Sequence, residues 1–296
     1  MAIVVPPNPL PRDVNVGPIL LGLTLTLLGF VFITTFLRIY ARLSLRTAGW
    51  DDYTMMAAVA VVIVRVSIQI IQVVEYGNGR HRWFISAEDY VNNNRLGWFA
   101  QITLFVGNCL VKISIIFLML RIKESRSLKI VLGIMMIGLI ITNLGVVVIL
   151  LAECRPISTF WEGPAVTGGK CWNTKIRIYY IYFTIAYSLA TDFFCSSLPI
   201  IVVWKVQLPL KKKVSLWALM SLGLLATGFG VGRAASLGLG TSDLSYDFAI
   251  AAIWSNAELF LAIIGANLAI SRSIYRFLRH GKNISHSTNV TGNPSS

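Results

Sequence analysis

Apolar residues gather in seven long blocks, roughly Gly17–Leu37, Tyr53–Val74, Leu96–Leu120, Ile130–Ala152, Ile178–Val203, Val214–Leu239 and Phe248–Ile270, with short polar stretches between them. Each approaches the ~20 mainly apolar residues that a helix needs to cross a ~30 Å hydrocarbon core. The second block is the weakest, because Arg65, Gln69 and Gln72 interrupt it. The pattern predicts an all-α membrane protein, a seven-transmembrane helix bundle over residues 16–280. A short tail, 1–15, precedes it, and a Ser/Asn/Gly-rich tail, 281–296, reads as disordered. The first 15 residues are Pro-rich without a basic start, and the first block exceeds a signal-peptide core. That block therefore reads as an uncleaved membrane helix.

Composition agrees with this reading. Only 13% of the 296 residues are charged and 55% are hydrophobic, against ~25% charged in soluble domains. Disordered chains, ordinary cytosolic enzymes and nucleic-acid-binding tails are excluded. The net charge of +13 would suggest nucleic acid in a soluble protein. Here the basic residues mostly separate apolar blocks, so they read as a topology signal, and the expected partner is the lipid bilayer. Fifteen Lys and Arg fall in Arg38–Asp52, Arg121–Lys129, Trp204–Lys213 and the tail from Ser271; eight fall in the alternate set of segments. The positive-inside rule puts the N-terminus outside and the C-terminus in the cytosol, in a multi-pass protein of the plasma membrane or an endomembrane. Leu208–Lys213, with three successive lysines, contributes most, and could also touch anionic lipid. This topology makes the Asn-X-Ser/Thr triplets at Asn283 and Asn289 chance matches in a cytosolic tail.

Five ionisable residues lie within the blocks: Arg65, Lys112, Asp192, Arg233 and Glu258. Charge in hydrocarbon costs at least ~2.5–3.5 kcal/mol, so such groups pair or line a cavity. From helix rise, Lys112 lies ~24 Å and Asp192 ~21 Å below the outer edge, Glu258 ~15 Å and Arg65 ~12 Å. Depth thus pairs Lys112 with Asp192 and Arg65 with Glu258, and leaves Arg233 snorkelling near the surface. The four paired residues are the candidate polar core or ligand-binding set. Helix locking and a functional cavity are both open readings of it.

Cys154 and Cys171 share the long fourth loop, where an oxidising compartment favours a disulfide. Cys109 and Cys195 read as small buried hydrophobes. Trp161, Trp172, Tyr179 and Tyr180 read as interfacial anchors or, alternatively, a ligand mouth. Pro199 is expected to kink the fifth helix, and Gly228 with Gly232 to form a close-packing face. Asp51 and Asp52 are expected to neutralise a helix N-terminus and to pair with Arg42 or Arg46. His81 reads as an exposed loop residue. No metal site and no cofactor is expected.

Several segments together resemble the fungal rhodopsin-domain family of seven-helix integral membrane proteins, the group around the satratoxin-cluster membrane protein that includes receptor candidates of filamentous fungi. They are Arg38-Ile-Tyr40-Ala-Arg42 with Gly49-Trp50-Asp51-Asp52-Tyr53, Gly77-Asn-Gly79-Arg80-His81, Lys112-Ile-Ser114, Cys154-Arg-Pro156 with Gly169-Lys-Cys171, and Asp192 with Leu198-Pro199, joined by Arg233 and Glu258. The chain departs from the family at Asn267-Leu268-Ala269, where Pro is common, and at Arg80, where Lys is commoner. The last block has no Lys for a retinal Schiff base, and the sequence motifs of animal G-protein switches are missing.

The resemblance implies a fungal membrane protein without fixing a ligand. Two functions follow. One is a receptor-like protein that senses a small lipophilic molecule or surface cue, with a cytosolic coupling partner the sequence does not name. The other is a membrane-embedded enzyme or accessory protein of secondary-metabolite biosynthesis, in which Asp192 or Glu258 would act as the acid that starts a cyclisation.

Overall fold

The computed structural model describes residues 12–122, 126–204, 225, 228–233 and 243–287. Helix α1 (Gly17–Ser44) is followed by α2 (Trp50–Val74), a 3-10 turn (Arg82–Phe84), α3 (Ala87–Ile122) and α4 (Arg126–Ala152). A short loop domain comes next: β1 (Cys154–Arg155), α5 (Thr159–Glu162), α6 (Pro164–Thr167) and β2 (Lys170–Cys171). Then follow α7 (Thr174–Trp204) and α8 (Leu244–Ser287).

Among the described residues, five helices are long and apolar enough to cross a membrane: α1, α2, α3, α4 and the Ser245–Ala269 part of α8. They coincide with the first four predicted blocks and the seventh. The fifth block falls in α7, which is 31 residues long and runs on past Pro199; the side chain of Pro199 lies outside the described residues. The sixth block lies mostly outside them, as does Leu208–Lys213. Helix α8 continues to Ser287, beyond the boundary at 281.

Local chemistry sets the helix ends. Pro18 occupies the first turn of α1, where its missing N–H costs nothing, and the Gly17 amide donates to Asn15 Oδ1 at 2.9 Å. The Asp52 carboxylate accepts the Gly49 amide at 3.1 Å, and Asp51 and Asp52 sit in the first turn of α2, where the dipole favours negative charge. Ser86 Oγ accepts the Asp89 amide at the start of α3.

Packing is that of a bundle in an apolar solvent. On α4, Leu132, Leu139, Asn143, Val146 and Leu150 form the buried stripe. Ile134, Ile137, Ile141, Leu144 and Val148 face outward, so the exposed side is as greasy as the core. Helix α3 is the most deeply buried of the five. It packs against α2, α4 and α8. The main core joins Val31 of α1, Met55, Val62 and Val66 of α2, Val111 of α3 and Leu259, Phe260 and Ile263 of α8.

Helices α4 and α7 interlock. Tyr187 Oη would lie 2.1 Å from a Cβ on Gly138, and Tyr180 Oη 2.0 Å from one on Gly145. The two hydroxyls donate at 3.3 Å to the Met135 and Ile141 carbonyls. Each glycine is a notch that only the absence of a side chain leaves open. Gly138→Leu is expected to cost about 1–3 kcal/mol by overpacking, and a second change, Tyr187→Ala, to recover part of it. Thermal unfolding in detergent measures both. An unshifted Gly138→Leu midpoint would mean that the notch does not hold the pair.

Across the loop, Cys154 and Cys171 form a disulfide (Cα–Cα 4.1 Å) on a two-residue antiparallel ladder that also pairs Arg155 with Lys170. The Trp172 amide continues the ladder by donating to Glu153 O at 2.8 Å.

Candidate functional site

At the disulfide end of the bundle the described residues enclose a cavity of about 530 Å³, within the ~300–1,000 Å³ range of small-molecule sites. Arg65, Gln69 and Gln72 reach it from α2, at i, i+4 and i+7 on one helical face. This is the polar interruption that weakens the second block. Asn93, Gly97 and Gln101 come from α3, Arg177 and Ile181 from α7, Ser245, Phe248 and Ala252 from α8, and Arg233 from the helical stretch 228–233. Cys154, Glu153 and Phe160 of the loop cover it.

A polar network holds these walls. Arg65 Nε donates to Asn256 Oδ1 at 3.0 Å and Nη1 donates to the Ala100 carbonyl. The Asn256 amide donates in turn to Thr24 Oγ1 and Gln69 Oε1, each at 2.9 Å. The Gln72 amide donates to Asn93 O and Oδ1, and the Asn93 amide to Ser245 Oγ. Thus α1, α2, α3 and α8 are tied together behind the cavity. At its mouth Arg177 Nη1 lies 2.9 Å from Glu153 Oε2 and its guanidinium sits over Phe160. Burial pushes the Glu153 carboxyl up from its ordinary range, against the pull of Arg177.

The predicted intramembrane charges divide differently from their depths. Lys112 Nζ lies 2.5 Å from Asp192 Oδ1 and donates to Ser188 O. Arg65 and Glu258 do not pair. Arg65 meets Asn256, and Glu258 lies 3.4 Å from Arg233. Depth fixes height but not direction: two residues turn the helix by ~200°, so Asn256 and Glu258 face different neighbours. Arg233 does not snorkel outward. It is 4% exposed and turns inward to that carboxylate. Of the four candidate residues, Arg65 lines the cavity, while Lys112, Asp192 and Glu258 do not.

Reversing either charge, Lys112→Asp or Asp192→Lys, should lower accumulation several-fold, and the two together should restore it. Quantitative immunoblotting of membranes reads this. A double variant no better than the singles would mean that the pair is not what holds α3 to α7.

Other expectations shift as well. Asp51 and Asp52 pair with Arg42, one of the two expected partners, and are joined there by Arg38 and Arg121. Arg38 and Arg42 lie one turn apart on α1, a spacing the sequence displays; Arg38 was hidden by its place at the edge of an apolar block. His81 is half-buried, with Nδ1 2.5 Å from Asp243 Oδ2 and its ring stacked on Tyr246 at 4.2 Å. Trp161 packs edge-on to Trp98, while Trp172 and Tyr179 are exposed. Among the described residues Gly230 and Gly232, and not Gly228, are the glycines of this stretch in close contact, with Leu189 and with Trp254. Cys109 and Cys195 are free.

The profile of the fungal rhodopsin domain matches residues 37–277. The chain belongs to that family. As a fungal rhodopsin domain with several apolar helices, it is a multi-pass membrane protein. It is similar to "Fugralins biosynthesis cluster protein 2" of Gibberella zeae, 30% identical over 132 residues, which cover 43% of this chain and 32% of the relative. It is also similar to a "SAT4 family membrane protein" of Emericella nidulans, 27% identical over 185 residues, 61% of this chain and 44% of the relative. The matched regions thus span less than half the length of either relative. No solved structure matches this fungal rhodopsin domain.

Proposed function

We propose that this fungal rhodopsin domain is a seven-helix, receptor-like membrane protein that takes a small molecule into the cavity beneath the disulfide loop. The N-terminus lies outside and the C-terminus in the cytosol. The distribution of basic residues supports this orientation, as does a disulfide at the end assigned to the outside. The carrying observation is the cavity itself, whose polar walls are the groups that join α1, α2, α3 and α8. A ligand that re-pairs those groups shifts the helices against one another, which is what a sensor requires. The cytosolic readout is assigned, from the run of three lysines in the sequence, to Leu208–Lys213 and a partner.

The name of the Gibberella zeae relative favours a second reading, a role in secondary-metabolite biosynthesis. An acid-initiated cyclisation would need Asp192 or Glu258 at the substrate. Neither lines the cavity and each faces a cation, so sensing is the better supported.

The test is gene deletion in a fungus carrying it, with transcripts and metabolites profiled together, beside a cavity-filling Ala252→Trp variant. Altered transcription with no accumulated precursor, reproduced by Ala252→Trp at normal protein level, is the expected result. An unconverted precursor would overturn sensing in favour of conversion.

A further inference from the structure

We infer that the cavity takes an organic anion: a carboxylic acid with an apolar body, its carboxylate held by Arg65 and Arg233. This rests on the cavity being a ligand site and names the ligand's chemistry.

The first observation is a charge without a counter-charge. Arg65 is 3% exposed, and its partners are an amide and a backbone carbonyl, both neutral. A buried cation is retained at a cost unless an anion meets it. Among the described residues no carboxylate comes within ion-pair reach of Arg65. Of the chain's 13 acidic residues only Glu124 lies outside the described ones. On the cavity wall, Glu153 is engaged by Arg177. Asp247 stands nine residues, ~13 Å of helix rise, before the Asn256 that Arg65 reaches.

The second observation is independent. Arg233 lines the same cavity and is nine-tenths buried. Its Nη2 is 3.4 Å from Glu258, and its Nε and Nη1 have no hydrogen-bond partner among the described residues. Guanidinium groups only donate. The unused donor capacity of the wall is therefore carried by Arg233, on the same wall as the charge of Arg65 that meets only neutral groups, and a carboxylate matches both with charge-assisted bonds. The remaining wall sets the rest of the molecule. Trp98, Phe105, Ile181 and Phe248 form an apolar surface, and the cavity exceeds what an inorganic ion needs.

The experiment uses the full chain in phosphatidylcholine nanodiscs, with 1-naphthylacetate and its uncharged analogue 1-naphthylacetamide as probes. Quenching of tryptophan fluorescence reports binding, with Trp98 on the wall. The acid is expected to bind about tenfold or more tightly than the amide. Arg65→Gln and Arg233→Gln should each bring the acid's affinity down toward that of the amide, and Arg65→Lys should keep part of the preference. The acid–amide comparison on the unaltered protein needs no variant to fold. Oleate dissolved in the discs separates the sources. Displacement of the acid supports the anion site and names a membrane-borne acid; an acid undisturbed by oleate supports it and names a water-borne one. Equal binding of acid and amide overturns the anion inference and leaves the ligand cavity standing. Binding of neither overturns both.

Discussion

Asp51→Ala will leave little folded protein in the membrane. Asp51 Oδ2 lies 3.0 Å from Arg38 and 2.9 Å from Arg42, and its Oδ1 lies 3.4 Å from Arg121. One carboxylate thus ties α1, α2 and α3 at the end of the bundle away from the cavity. Arg38 is 2% exposed and also donates to Asn267 of α8. Without Asp51 it keeps Asp52, Arg42 keeps only the more distant Asp52, and Arg121 loses its ion pair. Removing one member of a buried ion cluster costs about 3–5 kcal/mol, out of a total of about 5–15 kcal/mol for an ordinary domain. The effect is read as the yield of monodisperse protein after solubilisation and as its unfolding midpoint. Trp50→Ala, one residue away and 76% exposed, is the control and should change stability little. If Asp51→Ala matched that control, the cluster would be ornamental to the fold.

The second large effect is expected at the disulfide. Replacing Cys154 and Cys171 by Ser frees a loop of sequence separation 17, and cross-links of that size contribute about 3 kcal/mol by restricting the unfolded chain. Cys154 also lines the cavity beside Glu153 and Phe160, so the covalent bond fixes the cover. The double variant should unfold earlier and lose its sensitivity to reductant, and each single change should cost nearly as much as the pair. Naphthylacetate should bind more weakly to it than to the parent. An unfolding midpoint that reductant leaves unmoved in the parent protein would contradict the role assigned to the bridge.

What the sequence carried, and what it did not, follows from the kind of information each element needs. Spanning helices depend on apolar length, a local property, so α1 to α4 and α8 are visible as blocks. The Lys112–Asp192 contact is also accessible, because both residues sit near the same depth on neighbouring helices. The partner of Glu258 depends on helix rotation, which depth does not contain. The Arg38–Asn267 and His81–Asp243 contacts join residues 229 and 162 positions apart, and only the packed bundle brings these together. The cavity is the sum of such contacts. Its one sequence signature was negative: Arg65, Gln69 and Gln72 made the second block look like a poor membrane helix, and they line the site for the same reason.

The paired notches on α4 set how this molecule can rearrange. Gly138 and Gly145 are seven residues apart, as are Tyr180 and Tyr187, so both tyrosines are seated at once or neither is. Axial slippage of α7 along α4 would drive both phenol rings into side chains. The two helices must then travel as a single plank, able to tilt but not to ratchet. Any stroke that carries a signal across the bilayer falls to the helices on the far side of the cavity.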